Sequence, residues 1–165
     1  MFNENGTRLS GLVAIASARR GGLSCCRASA RYLADRTHVL GVLSFPYIFD
    51  DETHFWKTLD GPIGEDLLKE LEGDGLIGLA YYEAGARSFY NCRLQIRTPN
   101  HMRGLRIGVP QTQLMMGLVA ALGAHPSAMV FETDAYFGMR TELLDGSENN
   151  LPGYFASKHW EVAQF

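Results

Sequence analysis

Phe131-Glu132-Thr133-Asp134-Ala135-Tyr136 and, shortly after it, Leu144-Asp145-Gly146-Ser147-Glu148-Asn149-Asn150 are the stretches whose reading decides the fold. The first predicts a short helix, whose N-terminus Thr133 or Asp134 can cap by accepting an orphan backbone N–H. Leu143 and Leu144 read as a strand of two or three residues, and Asp145-Gly146 breaks the chain sharply. Ser147-Glu148-Asn149-Asn150 then sets two carboxamides where a strand ends, a common place for ligand groups in open α/β sheets.

Working back from there, strand Met129-Val130-Phe131 follows a helix over 111–122 whose Leu114, Leu118, Ala121 and Leu122 pack inward. Met115, Met116 and Gly117 suit close helix contacts, and Gly123 suits the residue after the helix. Asn91 to Arg97 alternates as a strand, with Cys92, Leu94 and Ile96 on one face. Thr98 to Gly104 is a turn with room for one helical turn. Leu76 to Tyr82 is a short apolar run of the kind buried on both faces of a parallel sheet. Before it, Asp50-Asp51 can cap a helix through His54, Phe55, Trp56 and Leu59. Gly61 ends that helix, and Pro62 opens another with the stripe Ile63, Leu67, Leu68 and Leu71. Val39 to Leu43 is rich in β-formers, and Phe45-Pro46-Tyr47-Ile48-Phe49 reads as an aromatic plug at a bend. Residues before Arg31 show neither period, so weak order is expected there. After Asn150 the chain reads as a loop and then a helix over 156–163.

Composition narrows the function. The chain has 165 residues, 46% of them hydrophobic and 20% charged, enough for a globular core. A net charge of −3 argues against nucleic-acid binding. Cys25, Cys26 and Cys92 form no Cys-x-x-Cys, and the five histidines lack ligand spacing, so neither a metal site nor a cofactor is expected. No apolar run is long enough to span a bilayer, so the chain is not expected to be membrane-embedded. Leu12 to Ala18 is too weakly apolar for a secretory signal and runs into Arg19-Arg20. With the end at Phe165, this reads as a piece of a longer protein.

Glu132 and Tyr136 leading a short helix, then Asp145-Gly146-x-Glu148-Asn149, resemble the solute-binding proteins of tripartite ATP-independent periplasmic (TRAP) transporters of the C4-dicarboxylate-binding type. Thr98-Pro99 to Gly104 and His159-Trp160-Glu161-Val162 fall in the matching order. The resemblance implies a periplasmic-binding-protein-like α/β fold, a parallel or mixed sheet flanked by helices in an incomplete two-lobe architecture. It further implies an atypical segment over 1–30, part of a first lobe over 31–86, and a crossing strand with second-lobe segment over 87–165. The implied function is capture of an organic acid (a dicarboxylate or a sugar acid such as a uronate) by hinge closure, and delivery to the TRAP permease in the periplasm.

The resemblance also places the ligand. Arg87 would neutralise a carboxylate with its planar fork, although a surface arginine in a weak ion pair is the plain alternative. Asn149 and Asn150 would supply donors and acceptors. Tyr90 or Phe89 would wall the cleft, and Glu132 would bind a hydroxyl or cap its helix. Gly108 stands where the resembled pattern carries a substrate-binding arginine, leaving Arg106 to substitute, Arg87 to act alone, or a ligand that carries less charge. Glu142, where glycine is usual, is a second departure. No residue is expected to be catalytic. The alternatives are a fragment that binds nothing, or a small α/β enzyme using Glu132 and His159 as acid and base.

Overall fold

The computed structural model describes residues 10–34, 36–129 and 132–165, with the side chain of Glu132 outside that description. Residues 1–82 and 83–165 form two units.

The first unit is helical. Helix α1 (Gly11–Arg19) is capped by the Ser10 hydroxyl, which accepts from Val13 N at 3.4 Å, and it buries Ala14 and Ile15. Structure therefore begins well before Arg31: the two small or branched apolar residues suffice to seat one helix face. Short helices α2 (Ala30–Leu33) and α3 (His38–Gly41) follow, and Ile15, Leu33, Leu40 and Leu71 close one core. Val39 to Leu43 is thus helical rather than extended. Among the described residues its β-formers have no neighbouring strand to pair with, and Leu40 is instead buried in the helical core. The aromatic plug is also corrected: Phe45 and Tyr47 are exposed.

Helix α4 (Glu52–Leu59) and helix α5 (Pro62–Lys69) form as the caps predict. Asp51 accepts from His54 N at 2.7 Å, and Pro62 sits in the first turn of α5. Of the expected stripe, Leu71 is buried and Ile63 is exposed, because Gly64 is the residue that packs onto the end of α4. The run Leu76–Tyr82 forms no strand. Ile77, Leu79 and Tyr82 are 78%, 79% and 76% exposed, and no described strand lies beside them to complete a ladder.

The second unit is a four-stranded mixed sheet in the order β1-β4-β2-β3. The strands are β1 (Arg87–Asn91), β2 (Arg106–Pro110), β3 (His125–Met129) and β4 (Gly146–Asn150). Strand β2 runs parallel to β3 and β4, while β1 runs antiparallel to β4. Helix α6 (Gln113–Ala121), capped by Thr112, joins β2 to β3; helix α7 (Glu132–Arg140) joins β3 to β4. The α6 face holds Met102, Leu105, Ile107, Val109, Met115 and Val119, whereas the other holds Tyr90, Ala135, Met139 and Leu144.

Several sequence readings shift in register. Residues 145–150 are not a turn after a Leu143-Leu144 strand; 146–150 is itself the strand. Glycine, serine and asparagine are poor strand formers, but β4 has partners on both sides, and tertiary pairing outweighs propensity. Strand β1 ends at Asn91 because the Asn91 carboxamide turns the chain: Oδ1 accepts from Arg93 N and Leu94 N, each at 2.8 Å. The alternation from Cys92 to Ile96 is therefore irregular chain. Strand β3 starts at His125, and the expected Val130-Phe131 lie outside the described residues. Thr133 and Asp134 stand inside the first turn of α7 rather than at its cap. Helix α6 buries Met115 and Val119, with Gly117 on the exposed side. The last helix, α8 (Leu151–Ala156), starts directly after β4, earlier than the pattern suggested.

Candidate functional site

The site follows from where the strands end. The carboxyl end of β2 leads into α6 on one face, and that of β4 leads into α8, whose Tyr154 packs on the other. Adjacent parallel strands whose connections leave to opposite faces open a crevice beyond their ends. Strand β1, being antiparallel, brings its first residue to the same edge. Arg87 thus stands directly opposite Asn150, and Ser88 opposite Asn149.

Antiparallel partners share a face. Arg87, Glu148 and Asn150 accordingly lie on the α6 face, and Asn149 on the face of α7 and α8. Glu148 is only 4% exposed, and its carboxylate accepts from the Nε–Nη2 edge of the Arg87 guanidinium. Arg87 Nε donates to Glu148 Oε2, and Nη2 donates to Oε1 at 2.9 Å and to the Glu148 carbonyl at 3.2 Å. The guanidinium keeps Nη1 without an acceptor among the described residues, on a side chain 29% exposed.

Asn150 is committed to structure. Its Oδ1 accepts from Gly153 N at 2.8 Å, capping α8, and its Nδ2 donates to the Ala84 carbonyl. Asn149 is buried, and its Oδ1 accepts from Asn150 N at 2.9 Å. Its Nδ2 has no acceptor among the described residues. Tyr90 lies in the core, its hydroxyl 2.6 Å from His159 Nδ1 and its ring against Tyr154. His159 is 1% exposed, which withholds it from any solute. The Glu132 side chain falls outside the described residues.

Arg106 serves elsewhere. It opens β2 at the opposite end of the sheet from the crevice, where Asp145 gathers two guanidiniums. Arg106 Nε and Nη2 reach the carboxylate at 3.0 and 2.8 Å, its backbone N at 2.9 Å, and Arg93 Nε at 2.8 Å. The hydrogen bond from Arg106, with Arg93 beside it, holds the Asp145 carboxyl well below the usual carboxylate range despite burial. A depressed folded-state value stabilises the fold above the unfolded value of about 3.9, and that stabilisation is lost as pH falls below it. Asp145→Asn should cost about 1–2 kcal/mol at neutral pH, since the half-exposed arginines can rehydrate. It should also flatten the acid limb of a thermal-melt series between about pH 4 and 2.

Glu148 and Asp145 are the two partners that sequence reading missed. The signal existed in the spacing: read as a strand, 146–150 sets Glu148 and Asn150 on one face and Asn149 on the other. Gly108 is also explained locally. A Cβ there would lie 2.5 Å from Met129 Sδ and 2.8 Å from Leu144 Cδ1, so apolar side chains fill that space.

The model of the bacterial extracellular solute-binding proteins of family 7 matches residues 2–165. The 2,3-diketo-L-gulonate-binding periplasmic protein of Escherichia coli is 33% identical over 151 residues, 92% of this chain and 46% of that protein. A TRAP periplasmic solute-binding protein of Roseobacter denitrificans, solved with β-D-glucuronate bound, is 36% identical with a TM-score of 0.88. That match covers 93% of this chain and 51% of the other. The sugar-acid-binding protein of Advenella mimigardefordensis, solved with galactonate, is 33% identical at a TM-score of 0.87, covering 93% and 49%. The chain thus spans about half the length of the proteins it matches.

Proposed function

This chain belongs to family 7 of the bacterial extracellular solute-binding proteins, and from that premise we propose that it supplies the carboxylate-holding part of a receptor for a small organic acid. The observation that carries the reading is the Arg87–Glu148 pair at the strand ends. A guanidinium clamped on one edge is pre-organised, so little side-chain entropy is lost when its free edge meets an anion. Asn149 adds an amide donor one residue away, and beyond the end of a sheet its two faces open onto the same crevice. Glucuronate and galactonate, held by similar proteins, carry both a carboxylate and hydroxyls, which fits a guanidinium beside an amide.

Delivery to a TRAP permease in the periplasm is the role proposed for the whole protein, as is binding without catalysis. Isothermal titration of the full-length gene product against glucuronate, galacturonate, galactonate and succinate tests the reading. We expect saturable binding of at least one sugar acid. Heat release with none of them overturns it.

A further inference from the structure

The geometry assigns to Asn150 the role of a positioning residue: its carboxamide fixes the chain that leads into β1, and so holds Arg87 where an organic acid can meet it. The inference rests on the reading of the strand ends as an organic-acid site. Residues 83–86 are exposed and have no regular structure. Cys92 N donates to the Asp145 carbonyl, so by alternation Tyr90 and Ser88 also bond to β4, while Arg87 and Asn150 form a non-hydrogen-bonded pair. The ladder thus stops one residue short of Arg87. Behind that point, the bond from Asn150 Nδ2 to the Ala84 carbonyl is the only hydrogen bond that reaches residues 83–86 among the described residues. Gly85 turns with φ +84°, a conformation that favours glycine, and a Cβ built there would lie 4.0 Å from Asn150 Cβ. The turn therefore rests on the side chain that holds it.

The residue type fits both tasks. Capping α8 needs only an oxygen, which Asn150 Oδ1 supplies to Gly153 N at 2.8 Å, and serine or aspartate caps a helix as well. Holding a carbonyl at the same time needs a donor. Of the good capping side chains, asparagine is the one with a separate amide donor beside its acceptor oxygen. Glu148 fixes the guanidinium of Arg87, and Asn150 fixes the backbone that carries it. An arginine held at both ends has less freedom to lose when an anion binds.

Asn150→Ser separates the two tasks, because it keeps a neutral capping oxygen and removes the amide. In the ligand-free full-length gene product, backbone amide relaxation by NMR should give Gly85 an order parameter of about 0.85, falling below about 0.6 in Asn150→Ser. Tm should stay within about 2 °C, since the cap on α8 remains. Whichever of galactonate and glucuronate the wild type binds should bind Asn150→Ser about three- to tenfold more weakly, the range for the net loss of one hydrogen bond. Asn150→Ala, which removes the cap as well, should show the same loosening of Gly85 together with a lower Tm. A rigid Gly85 in Asn150→Ser overturns the assignment, whatever the affinity: Asn150 is then a helix cap or a direct ligand contact. A mobile Gly85 with unchanged affinity overturns it too, since the segment then has no bearing on Arg87. Failure of the wild type to bind any of the acids tested removes the organic-acid reading, whereas Gly85 in the ligand-free protein still decides whether Asn150 holds the segment.

Discussion

Arg87→Met should weaken organic-acid binding by about 2–5 kcal/mol, roughly 30-fold to several thousandfold, and destabilise the fold as well. The two losses have one origin. Methionine removes the donors proposed to hold the ligand, and it also takes the bidentate Arg87 partner from the carboxylate of Glu148, 4% exposed. Removing one member of a buried ion pair costs roughly 2–4 kcal/mol when, as here, that member is part-exposed. A second substitution separates the effects. Arg87→Met combined with Glu148→Gln removes both charges and should regain most of the lost stability in a denaturant titration, without restoring binding. If the double variant binds as well as the wild type, Arg87 is a structural arginine only.

Gly146→Ala should cost about 3 kcal/mol, at the upper end for an overpacked site, and lower Tm by roughly 6–12 °C. Gly146 begins β4 opposite Asn91. A Cβ there would collide with the Tyr90 carbonyl oxygen and lie 2.7 Å from Asn91 Cβ and 3.0 Å from Asn91 Cα. Those neighbours are mostly backbone, which cannot swing aside as the end of a methionine can. Relief requires β4 to move away from β1, and the Arg87–Glu148 pair depends on that pairing. The variant should therefore lose ligand affinity along with stability, although the residue sits at the opposite end of the strand from the crevice. Gly117→Ala is the matching control. It lies on the exposed side of α6 with nothing within 4 Å, so alanine should be neutral or stabilising by up to about 1 kcal/mol.

Local signals made much of the fold legible. Asp51 and Pro62 placed α4 and α5, Gly123 marked the end of α6, and the motif around Glu148 and Asn149 pointed to the family. What failed was pairing. The run Leu76–Tyr82 has the composition of a buried strand, but a strand exists only beside another, and composition does not name its neighbour. Residues 146–150 erred the other way: polar and glycine-led, they read as a turn, yet two flanking strands make them the inner strand of the sheet. That error hid the site's main fact. A turn has no faces, so Glu148 looked like one polar residue among four, whereas a strand sets it squarely beside Arg87. Arg106 was misplaced for a related reason. Sharing a strand face with Gly108 does not say which end of the strand a side chain serves, and Arg106 is held by Asp145 at the start of β2.

The crystal structure of the full-length gene product with galactonate bound is the most direct test of the account. It predicts a ligand carboxylate oxygen at about 2.7–3.0 Å from Arg87 Nη1, with Nε and Nη2 of the same guanidinium still on Glu148. A carboxylate held by another cation, with Arg87 making no contact to the acid, would contradict it.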